Sequence, residues 1–182
     1  MWPGIDQSSR VSTNAKDPAV TLDPILNAPI AIQLHVLAAI PATLLGPIAI
    51  YRSKRDLLHK CTGYAWISAM AVMALLSFFI SGWKVIGPFG PIHLISIFVL
   101  QGLITGLRDA RAARFTAHKA TMQSIYWWGI GLAGLLTLTP GRRLNDALFG
   151  SHPETGYWVM AAGLMLLAAR WWSARRGGWL SV

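Results

Sequence analysis

The sequence predicts an all-α integral membrane protein, a helical bundle of four core transmembrane helices with a shorter fifth. Three observations carry this. Hydrophobic residues make up 54% of the 182 and charged residues only 13%, against about 25% charged in a soluble domain. Four stretches contain no Asp, Glu, Lys or Arg: 26–50, 61–83, 85–107 and 120–141. Each reaches the roughly 20 residues a helix needs to cross a bilayer. The Lys and Arg residues, finally, are concentrated in alternate connections between those stretches.

Residues 1–25 are polar, with Pro3, Pro18 and Pro24, and read as an outer tail with little regular structure. They show no basic region followed by an apolar core and a small-residue cleavage site, so no removable signal peptide is expected. Span 1 holds Pro41 and Pro47, which predicts a bend, tolerated where neighbours satisfy the freed carbonyls. Span 2 runs from Tyr64-Ala65-Trp66 to Phe79-Ile80. Gly87-Pro88-Phe89-Gly90-Pro91 makes a turn before span 3, with Pro91 suited to the first helical turn. Gly102-x-x-x-Gly106 within span 3 is a close-packing pattern.

Pro140-Gly141 ends span 4, and 142–154 read as an outer loop. A fifth uncharged stretch, Thr155 to Ala169, is shorter, but a snorkelling Arg170 lets the helix continue through Trp171 and Trp172. The expected divisions are an outer tail over 1–25, a four-helix core over 26–149, and a fifth helix with a basic cytoplasmic tail over 150–182.

In an up-and-down bundle, the connections between spans 1 and 2 and between spans 3 and 4 share one side with the C-terminus. That side carries eleven Lys and Arg, including Arg52, Lys54, Arg55, Lys60, Arg108, Arg111, Arg114 and Lys119, against Asp56 and Asp109. On the other side Arg10, Lys16, Lys84, Arg142 and Arg143 are balanced by five carboxylates. The positive-inside rule therefore places the basic side in the cytoplasm and the N-terminus outside. The net charge of +9 reports orientation and contact with the lipid bilayer, and no nucleic-acid partner is expected. With Cys61 as the single cysteine, a disulfide framework and any multi-Cys metal site are excluded.

Four of the five histidines stand near the starts of the four core spans. His35 in Leu34-His35-Val36-Leu37 matches His93 in Ile92-His93-Leu94-Ile95, and His59-Lys60 matches His118-Lys119. The spacings are 24 and 25 residues, as in a duplicated helical hairpin. Alternating helix direction puts His35 and His93 in an outer layer and His59 and His118 in an inner one, roughly 20–24 Å apart at 1.5 Å per residue. Such layers suit two two-histidine sites, and paired imidazoles on facing helices can supply both axial ligands of a b-type haem. Small residues beside the histidines, namely Ala39, Ala42, Gly46, Gly63 and Gly129, would give a porphyrin room. Lys60, Lys119, Arg55, Arg114, Arg142 and Arg143 could face its propionates or simply set topology.

The open alternatives are another metal, a quinone-type ligand, or interhelical hydrogen bonding without a cofactor. Met122, one turn after His118, reads as core before it reads as a ligand. Trp83, Trp158, Trp171 and Trp172 read as interface anchors, Trp127 and Trp128 as packing residues, and His152 as solvated. No span contains Asp or Glu, which counts against a proton-coupled transporter. No nucleophile motif or phosphate-binding glycine loop is present either.

The order His35, Leu45-Gly46-Pro47, His59-Lys60 with Gly63, Gly87-Pro88-Phe89-x-Pro91-Ile92-His93, His118-Lys119 with Met122, and Pro140-Gly141-Arg142 resembles the bacterial predicted-membrane-protein family called domain of unknown function 2306. The family usually has His-Arg where this chain has His-Lys. The resemblance covers about residues 30–149 and implies a bacterial inner-membrane fold more than an activity. The histidine layout is also similar to the four-helix core of two-haem transmembrane b cytochromes. That similarity implies electron transfer across the membrane, with an outer haem on His35 and His93, an inner haem on His59 and His118, and a quinone or redox protein as partner. A cofactor-free accessory subunit of a larger membrane complex is the reading from another class.

Overall fold

The computed structural model describes residues 20–52, 56–80, 87 and 90–175. The tail up to residue 19, Lys54, Arg55, Trp83 and the basic end from Arg176 lie outside the described residues. Every regular element described is helical. In chain order these are α1 (Asp23–Leu26), α2 (Ile30–Tyr51), α3 (Leu57–Leu76) with a 3-10 turn at Ser77–Phe79, and α4 (Pro91–Arg111). Then come α5 (Phe115–Ser124), a π-helical segment (Ile125–Gly131), α6 (Leu132–Leu136), α7 (Arg143–Phe149) and α8 (Thr155–Arg175).

Three helices are long and apolar enough to cross a membrane: Ile30–Tyr51, Leu57–Phe79 and Pro91–Arg111. Only 22–28% of each span's most apolar window is buried inside the protein. The outward faces are apolar, with Leu37 and Leu44 each 65% exposed and Leu94 71%. Apolar area on that scale calls for lipid rather than water around it. The fourth predicted span is one unbroken helical run from Phe115 to Leu136, α-helical at both ends and π-helical in the middle. Thr155–Arg175 is long enough for a span but less apolar than the other three.

The two hairpins are α2 with α3 and α4 with α5, and α3 packs on α4 to join them. Between them the core comprises Ala42, Trp66, Met70, Val99, Leu103, Met122 and Ile125, all buried. Pro47 has no N–H to give the carbonyl of Thr43. The Tyr126 hydroxyl donates to that carbonyl instead, at 3.3 Å, so the π segment repairs the bond that the proline removes. The indole N–H of Trp66 likewise donates to the Ala42 carbonyl at 2.9 Å.

A π turn advances the chain less per residue than an α turn and so redirects successive side chains. Here Ile125, Tyr126 and Gly129 all face the core: Ile125 fills the space over Gly102, Tyr126 that over Gly46, and Gly129 meets Val99. Gly106 is covered by the Met122 methyl. The close-packing reading of Gly102-x-x-x-Gly106 and the core reading of Met122 both stand.

The regions expected to be irregular hold two short helices. α1 docks on α7, where the Thr21 N–H donates to the Ala147 carbonyl at 3.0 Å and Arg143 to the Pro24 carbonyl at 2.9 Å. The corner between α6, α7 and α8 is built on Asn145, which is fully buried. Its amide donates to the carbonyls of Leu138 and Pro153 at 2.7 and 2.9 Å. Gly156 lies so near that an added Cβ would stand 1.9 Å from the Leu138 oxygen. The sequence reading missed this corner, because one Asn among loop residues carries no periodic signal.

Candidate histidine site

Each of the four histidines takes its position from its helix, and their ring nitrogens are used in three different ways. His35, in the second turn of α2, faces the end of α3: its Nδ1 lies 2.9 Å from the Met73 carbonyl and 3.3 Å from the Ser77 hydroxyl. Only a protonated nitrogen can face a carbonyl oxygen, so Nδ1 carries the proton and Nε2 the lone pair. His93, buried in the first turn of α4, does the reverse. Its Nδ1 accepts from the backbone N–H of Gly90 at 3.0 Å, which caps the helix start and puts the ring proton on Nε2. Phe78 stands beside this ring, centroid to centroid 5.7 Å. His35 and His93 therefore lie at one end of the bundle, where α2, the Ser77–Phe79 turn and α4 meet.

At the other end, His118 in the first turn of α5 points its Nδ1 at the Gly106 carbonyl, 2.8 Å away. That bond ties α5 to α4 and again leaves the lone pair on Nε2. His59 lies in the first turn of α3, where the Asp56 carboxylate caps its backbone N–H at 3.0 Å. Its ring Nδ1 is buried with no hydrogen-bond partner among the described residues. A buried polar atom left unpaired costs about 1–3 kcal/mol.

The charges around this end are partly engaged. Arg114 donates to the buried Asp109 through Nε and Nη2, at 2.9 and 2.7 Å, across a turn whose Ala113 takes a left-handed φ of 57°. Arg52 and Asp56 pair as well. The Arg52 guanidinium, and secondly the His59 backbone N–H, hold the Asp56 carboxyl well below the usual carboxylate range. Lys60 and Lys119 are exposed. His152 is exposed and lies 3.4 Å from the Glu154 carboxylate.

A haem iron takes an imidazole through one ring lone pair, while the other ring N–H rests on a carbonyl or carboxylate. His118 and His35 have that arrangement, whereas His93 has the opposite tautomer, with Nδ1 already accepting. In the pair expected to hold an outer haem, His35 and His93 thus carry their ring protons on different nitrogens. Of the small residues expected to make room, Gly46 is filled by Tyr126 and Trp66 and Gly129 by Val99, and Ala42 is fully buried. Gly63, one turn after His59, has no atom within 4 Å of a built Cβ. The inner pair keeps a ligand-ready His118, an unpaired His59 nitrogen and open space at Gly63. Among the described residues no group of three or more His, Cys, Asp or Glu could hold a metal ion.

No curated protein and no solved structure matches the chain, so the likeness to b cytochromes rests on histidine layout alone. The profile of the family described as predicted membrane protein, domain of unknown function 2306, matches residues 32–168. That match takes in both hairpins, the π segment, the Asn145 corner and most of α8, and the chain belongs to this family.

Proposed function

We propose that this protein is a membrane redox carrier that holds one b-type haem at its basic end through His59 and His118. The observation that carries the proposal is the unpaired, buried Nδ1 of His59, on the layer where His118 already presents the tautomer an axial ligand needs. In this reading the Gly106 carbonyl holds the His118 ring in orientation and raises its basicity. Asp56 sets the first turn of α3 and with it His59, and Lys60 and Lys119 supply positive charge for anionic substituents. A haem there would supply a one-electron carrier near the membrane surface, exchanging with a quinone or a redox protein. The Phe115–Leu136 run and α8 serve as fourth and fifth spans, with the basic end in the cytoplasm of a bacterial inner membrane and the N-terminus outside.

A reduced-minus-oxidised absorbance spectrum with a haem count, on protein expressed with adequate haem, tests this. One b-type haem per chain is expected; the absence of a haem band sinks the proposal, and two haems per chain would return the outer pair to service. The second reading, a cofactor-free accessory subunit of a larger membrane complex, draws on the protein side chains that fill the spaces at Gly46, Gly102, Gly106 and Gly129. It predicts no haem and co-purification with a partner.

A further inference from the structure

A cavity of about 190 Å³ lies between α5 with the π segment and the last turns of α8, and no histidine lines it. Gln123, Ser124, Trp127, Trp128, Arg170 and Trp171 line it. Its position in the membrane follows from two contacts. The Trp127 indole N–H donates to the Tyr51 hydroxyl at 2.9 Å, and the Arg170 guanidinium sits over the Trp127 ring, 4.8 Å from the centroid. Tyr51 ends α2 and Arg170 is near the end of α8, so the cavity opens at the basic end of the bundle.

The polar lining is rich in donors and holds no carboxylate. The Gln123 Nε2 is buried with no hydrogen-bond partner among the described residues. The Ser124 hydroxyl and the Arg170 guanidinium add donors, and none of the lining residues is acidic. Stacking on Trp127 fixes the guanidinium at the cavity wall. It also uses a ring face that a flat ligand would need, which weighs against a quinone head group. Trp128 and Trp171 are 37% and 43% exposed, as interfacial tryptophans are. Acceptor oxygens at the depth where a bilayer keeps its head groups would satisfy the Gln123 Nε2, and basic pockets between membrane helices bind anionic head groups.

We propose that this cavity binds the phosphate of an anionic phospholipid. Native mass spectrometry of the full chain, titrated with phosphatidylglycerol or phosphatidylcholine, tests it. Preferential retention of phosphatidylglycerol is expected, weakened roughly fivefold by Arg170→Gln, about the effect of one cation near a membrane surface. Gln123→Leu is expected to weaken retention as well, Arg170→Lys to restore part of it, and Arg111→Gln, at the same end but outside the cavity, to leave it unchanged. Thermal midpoints in detergent confirm that each variant is folded. Equal retention of the two lipids, or an equal loss in Arg111→Gln, would overturn the proposal. Displacement of bound phosphatidylglycerol by millimolar inorganic phosphate would reassign the cavity to free phosphate, and displacement by a short-chain quinone would reassign it to that class.

Discussion

The two histidine layers look alike in sequence and differ in what their nitrogens do. In the outer layer His35 bridges to the Met73 carbonyl and His93 closes the start of its own helix by accepting from Gly90. In the inner layer His118 bridges to Gly106, while the buried nitrogen of His59 has no partner among the described residues. The matched spacing that suggested two equivalent sites thus covers two different chemistries. A histidine that accepts from the backbone is a structural cap, and one that donates to a carbonyl is a structural bridge that can also ligate. What separates the layers is one ring nitrogen: that of His93 accepts from the start of its own helix, and that of His59 has no partner among the described residues.

Several substitutions would break or sharpen that contrast. The largest effect on stability is expected at the Asn145 corner, where the neighbour of Gly156 is backbone and cannot move aside. Gly156→Ala should cost several kcal/mol, at or beyond the usual range of about 1–3 kcal/mol for overpacking, read as a lowered thermal midpoint in detergent. Gly106→Val follows, since its added Cβ would meet the flexible Met122 methyl. A loss of about 1–3 kcal/mol is expected, together with a weaker His118 bridge.

In the outer layer, His93→Ala should cost about 1 kcal/mol through the lost helix cap and His35→Ala about 0.6 kcal/mol, a typical interhelical bond in a membrane. Equal, large losses in both would mean that the layer does more than fasten helices. In the inner layer, Gly63→Ala has open space and should gain up to about 1 kcal/mol of helix propensity. A loss there would show the space to be occupied. The smallest effect is the pH dependence of the Arg52–Asp56 pair. A depressed carboxylate contributes stability that is fully present above its unfolded pKa of about 3.9 and is lost as pH falls towards its lower folded value. The thermal midpoint should therefore be insensitive to this pair from pH 7 to about 5. Asp56→Asn, which keeps a capping oxygen, should be close to neutral.

Much of the architecture was legible in the sequence because lipid leaves few choices: charge-free runs of membrane length had to be helices. Spans 1 to 3 appear within a few residues of their expected limits, and Pro91 opens α4 as its fixed φ suggests. The π segment was not legible. Ile125 to Gly131 is continuous apolar and aromatic sequence, and only the facing residues Gly46, Gly102 and Val99 reveal why the turn widens there. Nor was the Asn145 corner, whose partners are two backbone carbonyls. For the candidate site, the two layers could be placed by counting residues. The proton positions on His35, His93 and His118 could not, because Met73, Gly90 and Gly106 contribute backbone groups that any residue type would carry.

The central proposal is that His59 and His118 at the basic end hold a haem. It is tested most directly by the haem content of His93→Ala and His118→Ala, measured from reduced-minus-oxidised spectra beside the unsubstituted protein. The account predicts that His93→Ala keeps its haem band and His118→Ala loses it. Loss of haem in His93→Ala with retention in His118→Ala would contradict it.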